Sequence, residues 1–234
     1  MRILITAGAT QVPIDQVRAI SNIFKGKTGT EIAYYLYWKS NHRITLVTSN
    51  PELAEEYCDE YVELTQNIGS LFDRPIPLII PYKTFDELAR IMEKEIRTGD
   101  YDVVIHSAAV SDYRVAGVYL SDDGKMEEVD CTKKISSKHA EIFLKLVPTY
   151  KIIDKIRREW GFKGTLVKFK LQVGVSDEEL IEIAKRSCVD SDADFIVANC
   201  LEWAKKRAYI IDRKGKVEKI SRKKLSEALL KRLS

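Results

Sequence analysis

The sequence predicts an α/β protein with a Rossmann-like, mostly parallel sheet, helices on both faces, and a C-terminal hairpin and helix. Three observations predict it. Short apolar runs alternate with longer segments of helical spacing. The runs at 2–6 and 102–106 read as buried strands. No repeat, low-complexity stretch or linker divides the 234 residues, so 1–234 reads as a single domain.

The elements follow in order. Residues 2–6 (Arg-Ile-Leu-Ile-Thr) form the first strand. Ile32, Ala33, Leu36 and Tyr37 repeat at helical spacing over 29–39. Residues 43–48 read as a second strand, 60–64 as a third and 77–82 as a fourth. Phe85, Leu88, Ile91, Met92 and Ile96 line one face of a helix over 84–97, and Thr84 with Glu87 forms a capping box before it. The strand at 102–106 runs into a long irregular region, 111–137, rich in Asp, Gly, Ser and Lys. A loop of that length inside a compact domain is usually functional or mobile, so it reads as a flexible active-site loop. Strands at 141–147, 165–171 and 194–198 alternate with helices at 150–160 and 177–188. A hairpin over 208–220 turns at Lys214-Gly215, and Ser221 is the candidate N-cap of a last helix over 221–233.

Bulk composition narrows the function. Hydrophobic residues make up 45% and charged residues 31%, a globular profile that buries roughly 70–75% of its unfolded surface. Lys and Arg number 38 against 35 Asp and Glu, a formal charge of +3, which gives no case for a nucleic-acid partner. No apolar run approaches the roughly 20 residues of a membrane span, and no signal pattern opens the chain. A cytoplasmic protein is expected, with Cys58, Cys131, Cys188 and Cys200 as reduced thiols, because no two stand at CxxC spacing.

Four segments are candidates for chemistry. Thr6-Ala7-Gly8-Ala9-Thr10-Gln11 ends the first strand in small residues; a plain βα turn and a ligand loop fit it about equally, and it lacks GxGxxG. Gly26-Lys27-Thr28-Gly29 stands before a helix. Ser21 occupies the position of the first Walker glycine, which rejects a Walker NTPase and leaves an anion-binding turn or a solvated capping turn. Ser107-Ala108-Ala109-Val110-Ser111-Asp112-Tyr113 puts small residues at a strand's carboxyl end, where a flat ring or sugar fits, and Asp112 either accepts from that ligand or caps a turn. Lys133-Lys134 belongs either to a solvated run or to a cationic loop of the kind that covers a triphosphate. His106 reads as a packed strand histidine, since no Ser or Cys partner is suggested.

Taken in order, these runs resemble the phosphopantothenate–cysteine ligases (phosphopantothenoylcysteine synthetases). The matching segments are Thr6–Thr10, Pro13-Ile14-Asp15, Val17-Arg18, Ile20-Ser21-Asn22, Gly26–Gly29, Ala108–Tyr113, Lys134-Ile135, Phe169-Lys170-Leu171 and Val197-Ala198-Asn199. A chain opening at Met1 resembles the stand-alone form of that family rather than the form fused to a flavin-dependent decarboxylase, so no flavin is implied. The resemblance implies joining 4′-phosphopantothenate to L-cysteine in coenzyme A biosynthesis, with CTP or ATP as co-substrate, magnesium on the phosphates, metal ligands unknown, and a homodimer. The carboxylate first attacks the α-phosphate and expels pyrophosphate; the cysteine amine then attacks the acyl nucleotide. By resemblance Lys134 steadies the phosphate and Asn22 handles the acyl intermediate. Gly8, Ala108, Ala109, Asp112, Tyr150, Lys151, Ile152, Ile153, Phe169 and Lys185 are the expected nucleotide contacts; Arg18, Ser21, Asn22 and Lys27 are the expected substrate contacts. Pocket width, more than hydrogen bonding, would separate CTP from ATP.

The chain departs from the family at several positions. Ser187 and Ser191 stand where many bacterial relatives carry phosphate-binding lysines, with Lys185 and Arg186 close by. Lys168 replaces a common glycine, Cys200 a common aspartate and Tyr150 a common proline. Two other functions compete on the residues alone: a nicotinamide-dependent Rossmann oxidoreductase, opposed by the missing GxGxxG, and a nucleotide-binding regulator without chemistry.

Overall fold

The computed structural model describes residues 1–65, 76–122 and 125–233. Strands β1 (Arg2–Ala7), β4 (Arg43–Thr48), β5 (Leu78–Pro81), β6 (Val103–His106), β10 (Thr165–Gln172) and β11 (Phe195–Cys200) run parallel. Strands β12 (Arg207–Asp212) and β13 (Val217–Ser221) close one edge antiparallel, giving the order β13-β12-β11-β10-β6-β1-β4-β5. Among the parallel strands this is the doubly wound order 3-2-1-4-5-6, whose direction of winding switches between β1 and β6. The expected parallel sheet, hairpin and terminal helix are therefore present.

Two apolar layers cover the sheet. Helices α3 (Phe85–Thr98), α4 (Ile152–Arg158) and α5 (Asp177–Asp190) bury Leu88, Met92, Ile156 and Leu180 on one face. Helices α1 (Lys27–Lys39) and α6 (Leu225–Leu233) bury Ile32, Leu36, Leu225 and Leu229 on the other. A small hairpin, β2 (Gln11–Pro13) with β3 (Ala19–Ser21), follows β1. A separate three-stranded sheet, β8-β7-β9, joins β7 (Tyr113–Asp122), β8 (Lys125–Glu128) and β9 (Glu141–Pro148). Among the described residues no helix is long and apolar enough to cross a membrane.

Two expectations are corrected. Residues 60–64 are not a strand but the end of helix α2 (Pro51–Thr65). Pro51 opens that helix with φ already set, and its first turns dock on α1, where the Tyr34 hydroxyl donates to the Ala54 carbonyl at 2.5 Å. The region 111–137 is not irregular throughout, because most of it is β7 and β8. Val118 and Leu120 are buried in a small core there, and a register shift between Val115 and Gly117 interrupts the period-two alternation. The connection that remains spans 129–140.

The capping signals divide. Thr84 forms the expected box: its hydroxyl accepts from Glu87 N at 3.3 Å, and the Glu87 carboxylate accepts from Thr84 N at 3.1 Å. Thr84→Ala is expected to lower stability by about 1 kcal/mol, read as a fall in the urea midpoint at constant slope. Ser221, by contrast, precedes a 3₁₀ turn (Arg222–Lys224) and its hydroxyl makes no cap bond. Ser176 caps α5 instead, accepting from Glu179 N at 3.1 Å.

Candidate active site

The winding switch between β1 and β6 brings two small-residue turns together. Ala109 N donates to the Gly8 carbonyl at 2.8 Å, and Thr10 N donates to the Ala109 carbonyl at 3.2 Å. Ala108 N donates to Thr6 Oγ1 at 3.2 Å, and the Ser107 hydroxyl donates to the Thr6 carbonyl at 2.6 Å. A ligand at the carboxyl ends of these strands therefore meets backbone rather than bulky side chains. His106 lies beneath, buried, with Nδ1 2.9 Å from Thr6 Oγ1. Burial, with a smaller contribution from the Lys168 charge, pushes its pKa down to about 4, so the ring is neutral near pH 7.

The glycines of 26–29 have a packing explanation. Gly26 has φ +86°, and a Cβ there would lie 2.5 Å from Gly8 N. A Cβ on Gly29 would lie 2.5 Å from Ser107 Oγ and 2.7 Å from Ala7 Cβ. The start of α1 is thus seated directly on the ends of β1 and β6. Lys27 is exposed at that start, and Thr28 accepts from the Arg222 guanidinium at 2.8 Å.

The β2–β3 hairpin carries the next group of residues. Asp15, its side chain fully buried, accepts from Val17 N at 2.9 Å and Arg18 N at 2.8 Å through Oδ1. Its Oδ2 accepts from Ile135 N at 3.1 Å, while Arg18 Nη2 donates to the Ile135 carbonyl at 2.6 Å. The Val17 amide, then those of Ile135 and Arg18 and the Arg18 charge, hold the Asp15 carboxyl below the usual carboxylate range against the opposing effect of burial. The hairpin is thereby joined to the connection bearing Lys134. At its other end Ser21 and Asn22 are exposed, and Asn22 Nδ2 donates to the Ala109 carbonyl at 3.1 Å. Arg18 is accordingly engaged with Ile135, and Asn22 stands on the β6 turn.

On the far side of that turn, Asp112 and Lys151 form an ion pair. Thr149 N donates to the Asp112 carbonyl at 2.9 Å, which ties the segment before α4 to the turn. Tyr150 packs edge-on against Phe85, ring centroids 4.9 Å apart, with Lys155 4.5 Å above its ring. The Ile152 side chain is buried in the core and Ile153 packs partly against it. Phe169 packs partly against the α1 face of the sheet.

Lys185 does not join this group. It pairs with Glu182 at 2.8 Å and lies beside Gly215, whose turn links β12 to β13 at the amino-terminal ends of the parallel strands, opposite the crevice. Ser187 and Ser191 are occupied as well. The buried Lys168 ammonium donates to the Ser187 carbonyl at 3.1 Å, to Ser187 Oγ at 2.9 Å and to Ser191 Oγ at 3.0 Å, and burial pushes its pKa down. The lysine on β10 and the serines on α5 thus form one structural cluster away from the turns.

Reading the sequence missed the roles of Asp15 and Ile135. An aspartate two residues before a turn amide is an Asx-turn signal, but its second partner lies 120 residues away. Among the described residues no three His, Cys, Asp or Glu side chains gather as a metal site.

Residues 1–69 and 78–234 match the profile of the DNA/pantothenate metabolism flavoprotein C-terminal domain. The coenzyme A biosynthesis bifunctional protein CoaBC of Thermococcus kodakarensis is 31% identical over 201 residues, covering 86% of this chain and 41% of that protein. The chain spans about half the length, or less, of the curated relatives it matches. The crystal structure of the DNA/pantothenate metabolism flavoprotein from Streptococcus pneumoniae superposes with a TM-score of 0.75 at 26% identity, covering 100% of this chain and 98% of that one. A Cab2 mutant in complex with phosphopantothenate-cysteine shares the fold, with a TM-score of 0.72 at 17% identity over 99% of this chain and 84% of that one.

Proposed function

Because the chain belongs to the DNA/pantothenate metabolism flavoprotein C-terminal domain family, we propose that it joins 4′-phosphopantothenate to L-cysteine through an acyl-nucleotide intermediate, with CTP or ATP as co-substrate. The observation that supports this reading is that one small hairpin carries Asn22, bonded to the β6 turn at the winding switch, at one end and holds Ile135, the neighbour of Lys134, at the other. The Cab2 complex supports it, since that relative holds phosphopantothenate-cysteine.

The site residues divide the two steps. In the first, the carboxylate attacks the α-phosphate, and the Lys134 ammonium offsets negative charge growing on its oxygens. Asp112, Lys151 and the segment around Tyr150 hold the nucleotide against the Ala108-Ala109 turn. A triphosphate brings most of the ligands a magnesium ion needs, so no dedicated protein cage would be required; the ion would offset phosphate charge, and Asp112, paired with Lys151, would be the nearby carboxylate available to it. In the second step the Asn22 amide keeps one N–H on Ala109 and has a second N–H and its oxygen for the acyl group and the incoming amine. Ser21 and Lys27, both exposed, would contact phosphopantothenate, while Arg18, held on Ile135, would do so only through its remaining N–H groups.

A homodimer fits the surface. Strand β9 is an edge strand of the three-stranded sheet and exposes Ile142, Phe143 and Leu146. An open edge with apolar side chains is a template for a second copy. Sedimentation of a monomer at all concentrations would remove this part of the reading.

The test of the activity is pyrophosphate release with phosphopantothenate, cysteine, magnesium and either nucleotide. Release at the background rate with both nucleotides overturns the proposal. Asn22→Asp is expected to slow the cysteine step and let acyl nucleotide accumulate, detected by rapid quench and mass spectrometry. Equal loss in both half-reactions contradicts the assignment of Asn22.

A further inference from the structure

The connection that carries Lys134 is mostly exposed, but one of its residues is gripped. From Cys131 to Ala140, Ile135 is the one buried position, while Lys133, Lys134, Ser136, Ser137 and Lys138 are exposed. Both of its backbone polar groups are taken by the β2–β3 hairpin: its N–H by the Asp15 carboxylate at 3.1 Å and its C=O by the Arg18 guanidinium at 2.6 Å. Its side chain fills the small core with Val118, Leu120 and Ile14. Asp15 is itself immobilised by two hairpin amides. A charge-assisted bond from a fixed, fully buried carboxylate is among the stronger ties a backbone amide makes.

We infer that Asp15 is a positioning residue for the reaction: it fixes the backbone of Ile135 and thereby places the Lys134 ammonium over the crevice. The inference rests on the ligase reading for the role of Lys134, but the grip itself does not. Residues 133–134 and 136–138 are left to move about a pinned centre, and the same hairpin that pins them ends in Asn22. The two expected catalytic side chains are thus set by one small element. Displacing a charge-stabilising group by about 1 Å costs on the order of 10²-fold in rate.

Two measurements on the whole protein test this. The first needs no activity: hydrogen exchange at the Ile135 amide and tryptic cleavage after Lys133 and Lys134. Both are expected to rise at least about tenfold in Asp15→Ala, with Asp15→Asn as the second variant should the first fold poorly. Unchanged exchange and cleavage in both variants overturn the grip. The second is a double-mutant cycle in pyrophosphate release. Asp15→Ala is expected to slow release by about 10–100-fold in the natural background and by less than about threefold in Lys134→Ala. An equal loss in both backgrounds would make Asp15 a merely structural support and overturn its role through Lys134. If the natural protein releases no pyrophosphate, the ligase reading falls, and with it the link to catalysis; the exchange and cleavage results still decide the grip.

Discussion

Lys134→Gln is expected to slow pyrophosphate release by about 10²–10³-fold, with thermal stability unchanged. Glutamine keeps most of the length and a hydrogen-bond donor, so the loss reports charge. Lys134 is exposed, and its replacement removes no buried packing. An interaction made mainly in the transition state lowers kcat and kcat/KM together, whereas a ground-state phosphate contact raises KM alone. A pure KM effect would move Lys134 from the α-phosphate to the outer phosphates. Single-turnover release with saturating nucleotide is the measurement, since it separates chemistry from product departure.

Gly26→Ala is expected to cost about 2–5 kcal/mol. The left-handed φ of +86° contributes about 1–2 kcal/mol for any L side chain, and the new methyl carbon would sit 2.5 Å from Gly8 N and 2.9 Å from Gly8 Cα. That neighbour is backbone at the end of a central strand and does not swing aside, so overpacking adds about 1–3 kcal/mol. For a chain of this size the melting temperature falls by roughly 2–4 °C per kcal/mol. Gly161 supplies the control. It has φ +75° and nothing within 4 Å of its Cβ position, so Gly161→Ala isolates the conformational part at about 1–2 kcal/mol. Equal losses at the two positions would mean that α1 yields freely where it meets β1.

How much was legible in the sequence depended on the range of the interaction. The strands β1, β4, β6, β10 and β11 were readable because burial on both faces leaves consecutive apolar residues. The α3 capping box was readable because its partners are three residues apart. Helix α2 was not read at all, and the short run 60–64 at its end, which carries little periodic signal, was read as a strand. Strand β7 was hidden by the register shift between Val115 and Gly117, which breaks its alternation. At the switch point, Gly8 and Asn22 are both bonded to Ala109, from segments that lie far apart along the chain. The grip of Asp15 on Ile135 and the lodging of Lys168 between Ser187 and Ser191 were not readable. Each is a polar bond between residues distant in sequence, and no local pattern announces it. Lys185 was placed at the crevice for its charge and proximity in sequence to Ser187, but α5 runs antiparallel to the strands and carries it to the other end of the sheet.

The strand order has a consequence for synthesis. Strand β1 emerges first, but one of its sheet neighbours, β6, pairs Ile3 with Val103, and β6 in turn pairs Val103 with Thr165. The middle of the sheet therefore closes only after roughly two-thirds of the chain has left the ribosome. Until then the apolar edge of β6 (Val103–His106) stays unpaired, a site for holdase chaperones and for off-pathway association. Slowing translation before residue 165 should lengthen that exposed interval, with chaperone-bound nascent chain accumulating until β10 arrives.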